Sequence, residues 1–391
     1  MKKFQKFMSY VVVAALASML TLAITEKEPS GLSKLDVLEA LILEKFIGES
    51  DVAVMEDAAA AAMIDSLGDR WSYYIPADEY GDYLDQMANS YVGVGVTIQM
   101  TEGEPGFLVT KVNAGGPADQ AGMLPGDRIV AVDGIDVREM SIEDTSTLVK
   151  GQENTTVDIT LEREGEELTL TVTRMLVEVP VATAVMLEGK IGLITIVNFD
   201  QRCADETIAA MDSLLEQGAE KLIFDVRYNP GGYVTQLVDV LDYILPEGEL
   251  FRSVDYKGKE SVNTSDDNCI EGVPMAVLVN SSSYSAAEFF AAALREYDYA
   301  VVVGEPTVGK GYFQQTYQLG DGSAVGLSVG KYYTPKGVSL AEAGGLIPDV
   351  VVEVDGDTAA AIYAGTLDPI EDPQILAAIG TLNNSNLMPI D

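Results

Sequence analysis

Met275-Ala276-Val277-Leu278-Val279-Asn280-Ser281-Ser282-Ser283-Tyr284-Ser285-Ala286-Ala287-Glu288-Phe289-Phe290 sets the frame for the rest of the chain. The apolar run to Val279 is too short for a helix and has the buried-strand pattern. A serine-rich turn follows, and then apolar residues in helical register. Further on, Ala286–Tyr297 reads as a helix and Ala300–Gly304 as the next strand. On the N-terminal side, Lys190–Val197 reads as a strand and Ala204–Gln217 as a helix ended by Gly218. Lys221–Val226 is a strand of buried type, and Tyr233–Leu245 is a helix with Leu237, Val240, Leu241 and Ile244 apolar. Strands alternating with helices predict an α/β core over 177–391.

Upstream the pattern changes. From Tyr91-Val92-Gly93-Val94-Gly95-Val96 the chain carries short β-like runs at Phe107–Val112, Arg128–Val132, Thr156–Glu162 and Glu167–Arg174. Gly115-Gly116-Pro117, Pro125-Gly126-Asp127 and Asp133-Gly134 punctuate them as turns, which predicts a compact β-rich module over 91–176. Residues 26–90 form a helical region: Leu35, Leu38, Leu41, Ile42 and Phe46 recur at helical spacing, and Ala58–Ala62 leads into Met63, Ile64 and Leu67. Helices are read from Leu35 to Met87, their apolar faces serving packing or a homodimer with a second copy of the chain. At the start, Lys2, Lys3 and Lys6 precede an uncharged run from Phe7 to Ile24, with Glu26 and Glu28 beyond it. Residues 1–25 therefore read as a signal or membrane segment, oriented by positive charge inside. With no clean Ala-x-Ala site at its end, an uncleaved anchor is favoured over a cleaved signal peptide. Either places the body outside the membrane, on its extracytoplasmic face if anchored and secreted if cleaved.

The chain has 391 residues, 24 Lys plus Arg against 62 Asp plus Glu, a net charge of −38, and no histidine. Without histidine there is no Ser–His–Asp or Cys–His machinery and no His-ligated zinc. The acidity argues against nucleic acid as a partner, because phosphate contacts need Lys and Arg. It is most simply a solvated acidic surface. Two cysteines, Cys203 and Cys269, are too few for a disulfide framework and could pair or stay free. No metal or cofactor is implied.

A strand–turn–helix junction is where a nucleophile gains exposure and helix-start N–H groups face an oxyanion, although serines before helices are commonly plain N-caps. Lys310, in Gly304-Glu305-Pro306-Thr307-Val308-Gly309-Lys310-Gly311, changes the weighing. With histidine absent, a desolvated lysine is the remaining base for a serine. Gly304 to Lys310 also fits most of a phosphate-binding loop. However, Gly311 replaces the magnesium-ligating Ser or Thr, and Tyr312–Tyr317 reads as a strand rather than a helix. A third element, Asp225-Val226-Arg227-Tyr228-Asn229-Pro230-Gly231-Gly232, sits at a strand end, where consecutive glycines let backbone N–H approach a reacting atom.

The stretch Gly115 to Gly134 resembles the signature of a PDZ domain, and Gly93, Val94 and Gly95 match that family's carboxylate-binding loop. The resemblance implies capture of a peptide end as an added strand, with backbone N–H groups forming a nest for the terminal carboxylate without a basic side chain. Together, the motifs resemble those of the C-terminal processing peptidases, tail-specific serine proteases with a Ser–Lys dyad. The resemblance runs from about Leu35 to the final residues. Ser285-Ala286-Ala287-Glu288 matches the serine motif, and Gly304 to Gln314 the lysine motif. Arg227 to Gly232 match the glycine loop, Leu67 to Tyr74 the segment before the PDZ domain, and Gly345 to Asp349 a late motif. It implies Ser285 as nucleophile, selected over Ser281, Ser282 and Ser283 by its spacing from Lys310. Lys310 would be the general base and Gln314 the residue that orients it. The oxyanion hole would come from Ala286 N–H with that of Gly231 or Gly232. Substrates would be proteins with unstructured C-termini. Tyr284 departs from the family by replacing a small residue, which keeps a competing reading in view: a membrane-tethered PDZ scaffold with an inactive core. A lysine base implies activity rising from neutral to alkaline pH.

Overall fold

Successive residues of a strand point to opposite faces of its sheet, and the central strands use both faces. Leu222, Phe224, Met275, Val277 and Val279 share one buried cluster with Met211, Leu237, Leu241, Phe289 and Phe290. Ile223, Ala276 and Leu278 turn the other way, onto Ile375, Ala378 and Leu382. Helices thus cover both faces, as a parallel sheet requires. The sheet runs Ala182–Leu187, Ile191–Ile196, Lys221–Asp225, Met275–Val279, Ala300–Gly304, Val350–Val351. Its first pair is antiparallel and the others are parallel. Cys203–Glu216, Val234–Ile244 and Ala286–Glu296 supply the helices of the larger cluster, and Pro373–Asn384 that of the smaller. Phe289, Phe290 and Leu294 are fully buried, each contributing about 2 kcal/mol of apolar burial.

These facts come from a computed structural model that describes residues 33–101 and 103–384. The expected membrane segment, 1–25, lies outside the described residues. Among the described residues no helix is long and apolar enough to cross a membrane.

The chain divides into two units at Tyr74/Ile75. In the first, Lys34–Lys45 and Val52–Asp65 are helices that bury no residue. The helices expected between Leu35 and Met87 are separate elements: Gly68, at φ 66°, ends the second, and Asp69 turns the chain by accepting from Trp71 N–H and Ser72 Oγ. Helix resumes only at Tyr80–Met87, in the second unit.

The β-rich module pairs Val96–Thr101, Glu104–Val112, Arg128–Val132, Thr156–Arg163 and Glu166–Thr173 in that order. Its own core includes Phe107, Val109, Ile129, Ile159, Leu161 and Val172. Asp127 is buried and accepts from Arg163 Nε at 2.6 Å and from its terminal nitrogen at 2.7 Å. Burial alone would raise that carboxyl; the Arg163 bonds outweigh it and hold Asp127 below the usual carboxylate range. Ser90–Gly93 and Met175–Glu178 pair antiparallel, so the chain enters and leaves the module side by side. This is an insertion ahead of the α/β core, the fold class the sequence predicts.

A second, antiparallel sheet carries Tyr312–Gln318, Ala324–Tyr333, Gly248–Asp255 and Glu260–Ser265. The sequence reading reaches only its Tyr312 strand, because the other strands are mixed in polarity and half-exposed. Both cysteines are free; burial pushes the Cys203 thiol up to about 12.

Candidate active site

The serine junction sorts its own serines. Ser281 and Ser282 are exposed. Ser283 is buried, donates to the Val226 carbonyl at 2.8 Å and accepts from Asn280 N–H at 3.0 Å, a structural part. Ser285 stands alone at the entrance of the helix Ala286–Glu296, with φ 59° and ψ −123°. That conformation costs a non-glycine residue about 1–3 kcal/mol and persists only where the surroundings impose it.

Glu288 helps impose it. Its side chain is fully buried, and four donors converge on its carboxylate. Ser285 N–H lies at 3.1 Å, Thr307 Oγ at 2.5 Å, Gly309 N–H at 2.6 Å and Lys310 N–H at 2.9 Å. One carboxylate therefore fixes the backbones of the candidate nucleophile and the candidate base together. Lys310 Nζ lies over the Tyr284 ring, 5.7 Å from its centroid, within cation–π range. Tyr332, packed edge-on against Phe289, donates its phenol to the Lys310 carbonyl. Burial pushes that phenol well above its ordinary value and the Glu288 charge adds to it, while a hydrogen bond with Ser285 pulls the other way.

The glycine loop closes on the same point. A Cβ on Gly231 would lie 2.6 Å from Ser285 Cβ and 2.8 Å from Ala286 N, so only glycine fits. Gly231 N–H is committed to Asn229 Oδ1 at 2.8 Å. The N–H groups of Gly232 and Ala286 have no acceptor among the described residues. Asn229 is fully buried, donates to the Ile196 carbonyl at 2.8 Å and accepts from Tyr284 N–H at 3.2 Å. Arg227 grips Asp225 through both carboxylate oxygens and reaches Asp372 at 2.8 Å. Burial works against its charge, but the two carboxylates prevail and hold it above its usual value.

Gln314 lies on the strand that follows Lys310. Its amide nitrogen donates to Ser328 Oγ at 3.0 Å and to the Tyr312 carbonyl at 3.3 Å; neither bond reaches Lys310. Lys310 leads into the strand Tyr312–Gln318, not a helix, which is how the sequence argued against a phosphate loop. Among the described residues no group of acidic or cysteine side chains could hold a metal ion.

In the inserted module, Gly93, Val94 and Gly95 line a pocket of about 220 Å³ together with Tyr91, Val96, Ile98, Ile129, Ser146, Val149 and Lys150. The carbonyls of Val94 and Gly95 are taken by Ala118 and Asn113 N–H at 2.9 Å each, while their own N–H groups have no acceptor among the described residues. Lys150 adds a cation, its Nζ 5.8 Å from the Tyr91 ring centroid. The sequence reading held the loop to work without a basic side chain; Lys150 lies 55 residues beyond Gly95 and comes near only through the fold. Glu288 did carry a signal, the Ser-x-x-Glu spacing of a capping box. Tyr332, on a strand of the second sheet, carried none.

A strained serine facing a lysine loop, on an α/β core with an inserted PDZ-type module, defines a class: PDZ-bearing serine hydrolases. Comparison with known proteins agrees. Residues 190–352 match the profile of peptidase family S41, and residues 108–163 that of the PDZ domain. The chain is 31% identical to the carboxy-terminal processing protease CtpA of Bacillus subtilis over 366 residues, 90% of this chain and 78% of that protein. It is 31% identical to the carboxyl-terminal-processing protease of Synechocystis, covering 75% of this chain and 70% of the other. A solved structure assigned to the S41 proteases in Bacteroides fragilis superposes with a TM-score of 0.57 at 16% identity, covering 91% of this chain and 99% of that one, a likeness of fold. The chain belongs to peptidase family S41, as a PDZ-containing C-terminal processing serine protease.

Proposed function

We propose that this protease acts outside the membrane, held by residues 1–25, and cleaves proteins delivered to it by their unstructured C-terminal tails. Residues 91–176 are the capture module and 177–391 the catalytic core. A tail adds as a strand along Val96–Thr101; its terminal carboxylate meets the Val94 and Gly95 N–H groups and Lys150, and its last side chain enters the apolar pocket. The helical pair before the core, which exposes Leu35, Leu38, Leu41, Phe46 and Met63, docks a second copy of the chain.

At the core, Ser285 Oγ attacks the scissile carbonyl carbon and its proton passes to Lys310 Nζ. The resulting oxyanion is held by the N–H groups of Ala286 and Gly232, with Gly231 as the close-packing glycine. The C–N bond breaks, and the departing amine takes the proton from Lys310. Water then attacks the acyl carbon and gives a proton to Lys310; the acyl C–Oγ bond breaks, the carboxylic acid product leaves, and Ser285 Oγ takes the proton back from Lys310. Gln314 orients Lys310 through its side-chain oxygen, the amide nitrogen being held by Ser328 and the Tyr312 carbonyl.

The observation that carries this reading is the four-donor grip of Glu288, which ties the Ser285 and Lys310 backbones to one carboxylate. Its test is incubation with an unfolded protein bearing a free C-terminus, with products identified by mass spectrometry. Cleavage by the native chain and its loss in both Ser285→Ala and Lys310→Ala is the expected result. Undiminished cleavage in either variant would remove that residue from the mechanism.

A further inference from the structure

A polar node stands between the PDZ connectors and the glycine loop. Asn89, at φ 44°, immediately precedes the entering strand Ser90–Gly93. Its amide donates to Asn198 Oδ1 at 2.5 Å and Asp200 Oδ2 at 2.9 Å, and accepts from Asn198 Nδ2 at 3.1 Å. Arg202 binds the same Asp200 oxygen at 3.2 Å. It also donates to the carbonyls of Ala88 at 3.2 Å and Val179 at 2.8 Å, one at each connector. Asp200 is 1% exposed, so this charge is held by its partners and not by water.

Asn198 and Asp200 flank Phe199, whose backbone brackets the candidate oxyanion loop. Phe199 N–H donates to the Gly231 carbonyl at 2.8 Å, and the Phe199 carbonyl accepts from Tyr233 N–H at 2.7 Å. A Cβ on Gly232 would lie 2.2 Å from that carbonyl oxygen. The ring of Phe199 packs on Phe290; the peptide groups either side of it take their position from the node.

We propose that Asn89 is a positioning residue for the oxyanion hole. Through Asn198, Asp200 and Phe199 it imposes the placement of the PDZ connectors on Gly231 and Gly232. This rests on the reading above in which Gly232 and Ala286 hold the oxyanion. Asparagine suits the position twice: it tolerates the left-handed backbone, and its amide both donates and accepts.

The test uses the full chain and a small fluorophosphonate without a peptide tail. Ser285 Oγ forms a bond to phosphorus, the P–F bond breaks, fluoride leaves, and the serine proton goes to Lys310. The phosphonyl oxygen occupies the oxyanion hole, so the labelling rate reads the hole directly. Asn89→Gly keeps the positive-φ freedom and deletes only the amide. It is expected to label about tenfold or more slowly, with affinity for a tail peptide within about twofold of native. Asn89→Asp, which faces a carboxylate to Asp200, is expected to label more slowly still. Native-rate labelling of Asn89→Gly overturns the proposal. So does slow labelling that comes with proportionate losses of tail affinity and thermal stability, the signature of a merely structural role. A native chain unlabelled at Ser285 overturns the nucleophile assignment and this inference with it, whereas a labelled native chain with an unaffected Asn89→Gly variant overturns this inference alone.

Discussion

The serine junction and the PDZ pocket both rest on glycine-bracketed turns with uncommitted N–H groups, yet they are built differently. At the junction, buried polar groups do the fixing: Glu288 takes four donors, Asn229 locks the glycine loop, and Ser285 is held in a strained conformation. At the pocket, apolar walls from Val94, Val96, Ile98, Ile129 and Val149 do most of the lining, and its cation, Lys150, is exposed. Bond making requires reacting atoms placed to a fraction of an ångström, which calls for short directional bonds in a dry setting. Binding a tail tolerates more play, and nondirectional burial with a nest of N–H groups suffices.

The contrast can be broken most severely at the dyad. Ser285→Ala and Lys310→Ala should each cost roughly 10⁴-fold or more in kcat/KM, with tail affinity by calorimetry unchanged; loss of both together would mean that the two sites are not separable. Next, Glu288→Gln places an amide N–H among four donors. It should cost about 3 kcal/mol of core stability in denaturant melts, with catalysis falling alongside. In the pocket, Val149→Asp should weaken tail binding by about 2 kcal/mol, roughly thirtyfold. It should raise KM on tailed substrates while leaving kcat on a short tail-free peptide intact; a fall in that kcat would merge the two regions.

Arg163→Ala probes how the module itself is held, and should lower its melting temperature at neutral pH. Because Asp127 is held below the usual carboxylate range, its contribution is present above that range, near pH 4, and is lost as pH falls through its own lower value. Thermal melts of the variant should therefore depend less on acidification than those of the native chain. The smallest effect is expected at Tyr284. Its ring face favours the lysine ammonium over the free amine, so Tyr284→Ala should move the alkaline rise in activity to lower pH, and Tyr284→Phe should leave it in place. A shift to higher pH in the alanine variant would mean that the ring acts on the site in another way.

Much of the core was legible because its strands are continuous apolar runs and its helices carry apolar faces at helical spacing. Ala300–Gly304, Lys221–Asp225 and Ala286–Glu296 fall where periodicity puts them, to within a residue at their ends. The exposed helices Lys34–Lys45 and Val52–Asp65 were legible too, but their outward faces were not, since the Val52 helix reads as apolar as a buried one and buries nothing. The second sheet largely escaped, because strands such as Glu260–Ser265 are polar nearly throughout. Within the site, local motifs marked Ser285, Lys310 and the two glycines. Tyr332 and Lys150 carry no local signal, since a tyrosine on a mixed strand or a lysine after a helix is ordinary.

Sequence alone determined the absence of histidine, and with it that a serine enzyme here needs another base. It also determined the order of modules and the motifs of the family, because these depend on residue type and spacing along the chain. Tertiary structure decided which serine is strained, which glycine N–H is uncommitted, what Glu288 grips, and that a lysine stands at the pocket. Those depend on which backbone groups meet across tens or hundreds of residues, and hydrogen-bond partners so distant in the chain are fixed only when the sheets and helices pack.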